Sequence, residues 1–160
     1  MEAFSGNEYR LASPVFSHDA KGHNPVEGLA EKGLEVLVIF TDAPGTLAAL
    51  QMADELAQEL EAHIRLLAPY EVPYALPLTE PAVPVEFLES QIRNLAQKTR
   101  LEVSANIYLC RDRKRTLKLL LRPHSLIVVG GKKHWWPTSA QKLAQALQKD
   151  GHHVIFAELR

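Results

Sequence analysis

The chain is poor in several of the elements that small proteins use as staples. It has one cysteine, Cys110, in 160 residues. A single thiol excludes an internal disulfide and a cysteine-rich zinc site. No uninterrupted apolar run approaches the ~18 residues that a membrane-spanning helix requires, so no membrane span is expected. Met1-Glu2-Ala3-Phe4 carries neither the basic segment nor the apolar stretch of a secretory leader, and the expectation is a cytoplasmic chain. No His-Glu-x-x-His or other ligand spacing occurs among the seven histidines, so no metal is expected. His18 and His23 sit in a glycine- and proline-containing segment. His152 and His153 are adjacent at a strand start, where neighbours point to opposite faces. What remains is ordinary globular material: 46% hydrophobic and 23% charged residues, enough to bury a core without staples.

Charge is distributed unevenly. Residues 34–110 hold 4 basic and 11 acidic residues, net −7, whereas residues 111–160 hold 11 basic and 3 acidic, net +8. The basic third includes Arg111, Arg113, Lys114, Arg115, Lys118 and Arg122, interleaved with Leu117 and Leu119–Leu121. Two readings stay open: a solvated helix face matched to the acidic segment, or a contribution to an anion site or an acidic partner. The whole chain is not basic and shows no recognition motif, so nucleic acid is not an expected partner.

Residues 1–33 lack periodicity and read as a largely irregular arm with one short strand at Tyr9–Val15. Residues 34–160 read as one α/β domain. Leu34–Phe40 is an apolar, β-branched run typical of a strand covered on both faces. After the turn Thr41-Asp42-Ala43-Pro44-Gly45, a helix runs to about Ala62, with Leu47, Leu50, Ala53, Ala57 and Leu60 on one face. His63–Ala68 is a second strand. Pro69–Pro84 holds five prolines and reads as a long loop. A helix from Pro84 buries Leu88, Ile92, Leu95 and Thr99. Glu102–Cys110 alternates in the manner of an edge strand with one face more exposed. The basic helix Arg113–Leu121, the strand Ser125–Val129, the helix Thr138–Lys149 ending at Gly151, and the strand His153–Glu158 complete the pattern. Five strands alternating with four helices predict a doubly wound, five-stranded parallel sheet with helices on both faces. Its ligand crevice should lie beyond the carboxyl ends of the strands, where strand order reverses.

The residues at those ends are the candidate binding set. Gly130-Gly131-Lys132-Lys133 follows a buried strand and Thr138-Ser139 opens a helix. Glycine backbone, helix-start N–H groups, hydroxyls and ammonium groups together suit a phosphate, and the same residues also suit a plain turn and a helix cap. Thr41 and Asp42 end the first apolar strand, where Asp42 can cap the next helix or face a nucleoside. Trp135-Trp136 can stack on a base, cover the crevice or make a subunit contact. The alternative for the pair is one packed ring and one partly exposed ring. Cys110 is expected to be a packed thiol, although neighbouring Arg111 would lower its pKa. No nucleophile and base pair up, so an enzyme is not the expectation.

From Leu34 onward the chain resembles the universal stress protein family. The likeness rests on Thr41-Asp42 before an alanine-rich helix, on Arg113–Leu121 leading into a strand that ends in Gly130-Gly131, and on Thr138-Ser139 before the last helix and strand. The resemblance implies a Rossmann-like fold, a role in stress response, a nucleotide or other phosphate-containing ligand, and a homodimer paired through the last strand, His153–Glu158. The family's nucleotide-binding members carry a glycine, two residues, a glycine, nine residues, then glycine and a hydroxyl residue. Here Gly130 matches the first glycine, Lys133 stands at the second, and no glycine precedes Thr138 or Ser139. The expected function is therefore a regulatory or ligand-sensing domain with weak or absent ATP binding. Two alternatives stay open: a flavodoxin-like protein using Thr41–Thr46 as a flavin phosphate loop, and a protein-interaction module without a ligand. A signalling receiver domain fits poorly, because residues 154–160 contain no lysine and only one acid follows the first strand.

Overall fold

The computed structural model describes residues 9–16 and 33–159. The remainder of the arm, with His18 and His23, lies outside the described residues. In chain order the elements are β1 (Tyr9–Phe16), β2 (Glu35–Ile39), α1 (Ala43–Leu60), β3 (His63–Glu71), α2 (Val85–Ala96), β4 (Val103–Cys110), α3 (Arg113–Leu120), β5 (Leu126–Gly131), α4 (Ser139–Lys149) and β6 (His153–Glu158). They form one six-stranded sheet of order β1-β4-β3-β2-β5-β6. The β2-to-β6 part is parallel throughout, as the alternation of strands and helices requires. The five-stranded expectation is corrected by one strand. β1, in the N-terminal segment, joins the sheet antiparallel to β4, with a register shift between Leu11 and Ser13.

That addition also corrects the position of β4. Its alternating sequence suggested an edge, yet it lies between β1 and β3. The alternation instead reports an under-covered face: Ser104 and Asn106 are half-buried, while Val103, Ala105 and Ile107 are buried. A strand's pattern records what covers its faces, not what hydrogen-bonds to its sides. Pro69 is likewise not a loop residue. β3 continues to Glu71 and Pro69 pairs with Tyr108. β2 has ended by then, its last bond to β3 being from Phe40 N to Leu67 O. Pro69 has the same alternation as Leu67, so its missing N–H faces the side where no partner strand remains.

Two cores sit on the two faces. On one, α1 and α2 cover the sheet through Ala49, Leu50, Ala53, Leu88 and Ile92, packed on Val36, Ile64 and Leu66. On the other, α3 and α4 cover it through Leu117, Leu143 and Leu147, packed on Leu37, Ile39, Ile127 and Val129. Leu50, Ala53 and Ala57 hold the expected α1 face and Leu47 packs against the core, but Leu60 is exposed and Asp54 is buried. Asp54 Oδ1 accepts from Leu101 N at 3.1 Å, which ties the start of β4 to α1. Among the described residues, no helix is long and apolar enough to cross a membrane.

Candidate functional site

Strand order reverses between β2 and β5, so the crevice of this sheet lies where their carboxyl ends meet. The structure brings Thr41, Asp42 and Gly130 together there. Asp42 is the N-cap of α1, and its Oδ1 accepts from Gly45 N at 2.7 Å. Thr41 Oγ1 donates to Gly130 O at 2.8 Å, bridging the ends of β2 and β5. Thr41 N donates to the hydroxyl of Thr46, which is fully buried. Pro44 has no N–H, and Gly45's is taken by Asp42. The start of α1 therefore has few donors left for an anion.

The glycines are in contact with each other. A Cβ on Gly130 would lie 1.9 Å from Gly45 O, and a Cβ on Gly45 would lie 2.5 Å from Gly130 O. The backbone of α1's first turn thus rests directly on the end of β5. Gly131 makes the corresponding approach for α4, where a Cβ would lie 2.7 Å from the Ala140 Cβ. Both glycines are buried. Their missing side chains make room for helices.

The loop after β5 folds back over the start of α4. Thr138 and Gln141 form a reciprocal capping box. Gln141 Oε1 accepts from Thr138 N at 2.9 Å and from His134 N at 3.3 Å, and Thr138 Oγ1 donates to Lys132 O at 3.1 Å. Gln141 was not singled out from the sequence, although a glutamine three residues after a threonine at a helix start is its signature. The N–H groups of Ser139 and Ala140 remain without a bond among the described residues. Lys132, Lys133 and Ser139 are exposed. Trp135 and Trp136 are 85% and 77% exposed, which corrects the expectation of one packed ring. Their loop is held by the Gln141 and Thr138 side chains bonding to the backbone of His134 and Lys132, and neither indole reaches the core.

A second group plugs the adjoining strand ends. The Arg113 guanidinium donates to Phe40 O at the end of β2, and Arg113 N donates to Glu71 Oε1 at 3.1 Å. Its Nε is buried without a partner. Burial pulls its pKa below the usual arginine value, with nearby Glu71 opposing. Within the basic run, then, Arg113 is not part of the solvated face. Arg111 is turned away from Cys110. Its Nη1 donates to the carbonyls of Val72, Pro73 and Leu76 and its guanidinium stacks 5.1 Å from the Tyr74 ring, so it organises the proline-rich loop. Cys110 is fully buried and donates to Tyr70 O at 3.6 Å. Burial pushes its thiol pKa up, which makes it a packed thiol and not a nucleophile. His152 Nδ1 accepts from Ser125 N at 3.2 Å, and no three metal-ligating side chains gather among the described residues.

No family model matches the chain. No curated protein matches its sequence either. Among solved structures it is similar to a universal stress protein crystallised in complex with cAMP, at 10% identity and a TM-score of 0.46, covering 81% of this chain and 100% of that one.

Proposed function

We propose that this chain is a non-enzymatic regulatory or ligand-sensing domain, universal-stress-protein-like in architecture, that binds ATP weakly or not at all. The observation that carries this reading is the contact between Gly45 and Gly130. It puts α1 backbone where a triphosphate would need converging N–H groups. The donors around it are already committed to Asp42, Gln141 and Thr138. What is left for an anion in the loop Gly130–Ser139 is Lys132, Lys133, the Ser139 hydroxyl and two N–H groups, since the Thr138 hydroxyl already donates to Lys132 O. Thr41 and Asp42 form the opposite lip. A charge-assisted hydrogen bond contributes roughly 1.5–3 kcal/mol, so losing two weakens a phosphate on the order of a hundredfold or more. Calorimetric titration with ATP and Mg²⁺ is expected to give no saturation in the low-micromolar range. Any residual binding should weaken further in Lys132→Ala combined with Lys133→Ala. Tight ATP binding by the wild-type chain would overturn the reading.

The flavin alternative is disfavoured by Thr46, whose hydroxyl is buried against Thr41 N and is not presented to a phosphate. The contact-module alternative is favoured by the exposed Trp135-Trp136 pair, since tryptophans are over-represented among residues that dominate protein interfaces. Mass spectrometry of small molecules released from the purified protein separates the three. A nucleotide supports ligand sensing, a flavin supports the flavodoxin-like reading, and an empty protein supports the contact module.

Assembly is the companion proposal. Among the described residues β6 ends the sheet and pairs only with β5. Val154, Ile155 and Phe156 on it are only half-buried. An apolar open edge is a pairing liability unless another strand covers it, and a two-fold axis beside β6 would supply that strand from a second copy. Sedimentation is expected to show a dimer at tens of micromolar (an order of magnitude at which typical dimers persist). A monomer at that concentration would remove the dimer from the proposal.

A further inference from the structure

We propose that the sheet face beneath α3 carries a binding site for a small amphipathic carboxylate, separate from the crevice at the strand ends. α3 has eight residues, about 12 Å of helix, and buries only Thr116 and Leu117. It is too short to cover the face it crosses. A bay of about 240 Å³ remains open on the sheet surface, lined by Leu37, Leu67, Tyr108, Leu120 and Leu121 around Arg65, with Glu35, Arg122 and Ser125 also bordering it.

Arg65 is the informative residue. It stands inside β3, an interior strand, and only 16% of its side chain is exposed. A charge in that position is costly unless it is paired. Its pairs are modest: Nε donates to Asn106 Oδ1 at 3.2 Å and Nη1 to Glu35 Oε1 at 3.4 Å, and the Tyr108 hydroxyl faces the same guanidinium at the rim of the bay. The Glu35 side chain is 37% exposed, so solvent weakens that pair. A guanidinium is a planar fork of five N–H donors that matches a carboxylate. The Tyr108 ring is braced by Tyr9, edge-on at 6.0 Å. Burial raises the Tyr108 pKa, so its hydroxyl stays protonated.

The lining selects the ligand. The Arg65 fork and the Tyr108 hydroxyl suit one carboxylate, and Glu35 on the same rim disfavours a phosphate dianion. The four leucines suit an apolar body. The volume falls below the roughly 300–1,000 Å³ of drug-sized sites, so the body is small.

Hexanoate is a suitable probe and hexan-1-ol its neutral match. In a ¹⁵N–¹H NMR titration of the full chain, hexanoate is expected to shift the amides of Leu37, Leu67, Tyr108 and Ser125 saturably. Hexan-1-ol should bind about tenfold more weakly or worse. Arg65→Gln keeps a donor for Asn106 but removes the charge, and should reduce hexanoate affinity to that of hexan-1-ol. Leu121→Trp fills the bay and should abolish both sets of shifts. Equal affinity for the two probes, or hexanoate shifts confined to Lys132–Ser139, would overturn the proposal. If Arg65→Gln fails to fold, unchanged hexanoate binding by Leu121→Trp would overturn it on its own.

Discussion

Gly130→Ala is expected to cost about 3 kcal/mol or more, at the top of the range for overpacking, and to leave little folded protein. The added methyl would sit 1.9 Å from Gly45 O and 2.8 Å from Gly45 C. Both are backbone atoms at the start of α1, so no rotamer change relieves the clash. The helix would have to lift off β5, breaking the Thr41–Gly130 bond and opening the core beneath Ala49 and Leu50. At a slope of roughly 2 kcal/mol per molar urea, the unfolding midpoint falls by about 1.5 M. Two other glycines calibrate the result. Gly131→Ala meets the Ala140 methyl at 2.7 Å and should cost less, because it overlaps one methyl group and not backbone atoms at 1.9 and 2.8 Å. Gly33→Ala has its nearest neighbour at 3.4 Å and should stay within about 0.5 kcal/mol of wild type. A Gly130→Ala midpoint indistinguishable from that of Gly33→Ala would mean that α1 does not rest on β5 in solution. The main support for weak ATP binding would go with it.

Leu117→Ala should be nearly as damaging, at about 2–5 kcal/mol. α3 is short, strongly basic and capped at its start by Asp112, whose Oδ1 accepts from Arg115 N. Its one large fully buried side chain is Leu117. A helix of this length is not stable alone in water, so its attachment to the sheet comes from packing. Leu119, two residues on and 60% exposed, should tolerate alanine within about 0.5 kcal/mol. A local readout accompanies the global one. Cys110 is buried beside Thr116, so loosening α3 should make its thiol react faster with a labelling reagent than in Leu119→Ala. Equal midpoints and equal thiol reactivity in the two variants would show that α3 is not held as described.

The alternation of apolar strands with amphipathic helices determined the α/β class and the parallel central sheet. It did so because those periods report burial directly. Helix ends were also legible, since Asp42, Thr138 and Gly151 are chemical signals read within one turn of chain. Gly151 has a φ of +93°, a conformation that favours glycine at a helix end. The glycines after β5 were legible as special positions but not as to their purpose. A glycine leaves room equally for a phosphate or for a neighbouring backbone, and only the fold places Gly45, 85 residues earlier, against Gly130. Arg113 and Arg65 illustrate the same point for charge. One sits in a basic run and the other alone in an apolar strand, and neither context says whether the guanidinium meets water, a carbonyl or an open bay. Local periodicity and capping chemistry depend on a few adjacent residues, so the elements and their ends can be read along the chain. Which strand joined the sheet edge, which glycines were filled and which face α3 left uncovered depend on contacts between segments far apart in the chain, and these emerge only once the chain is folded.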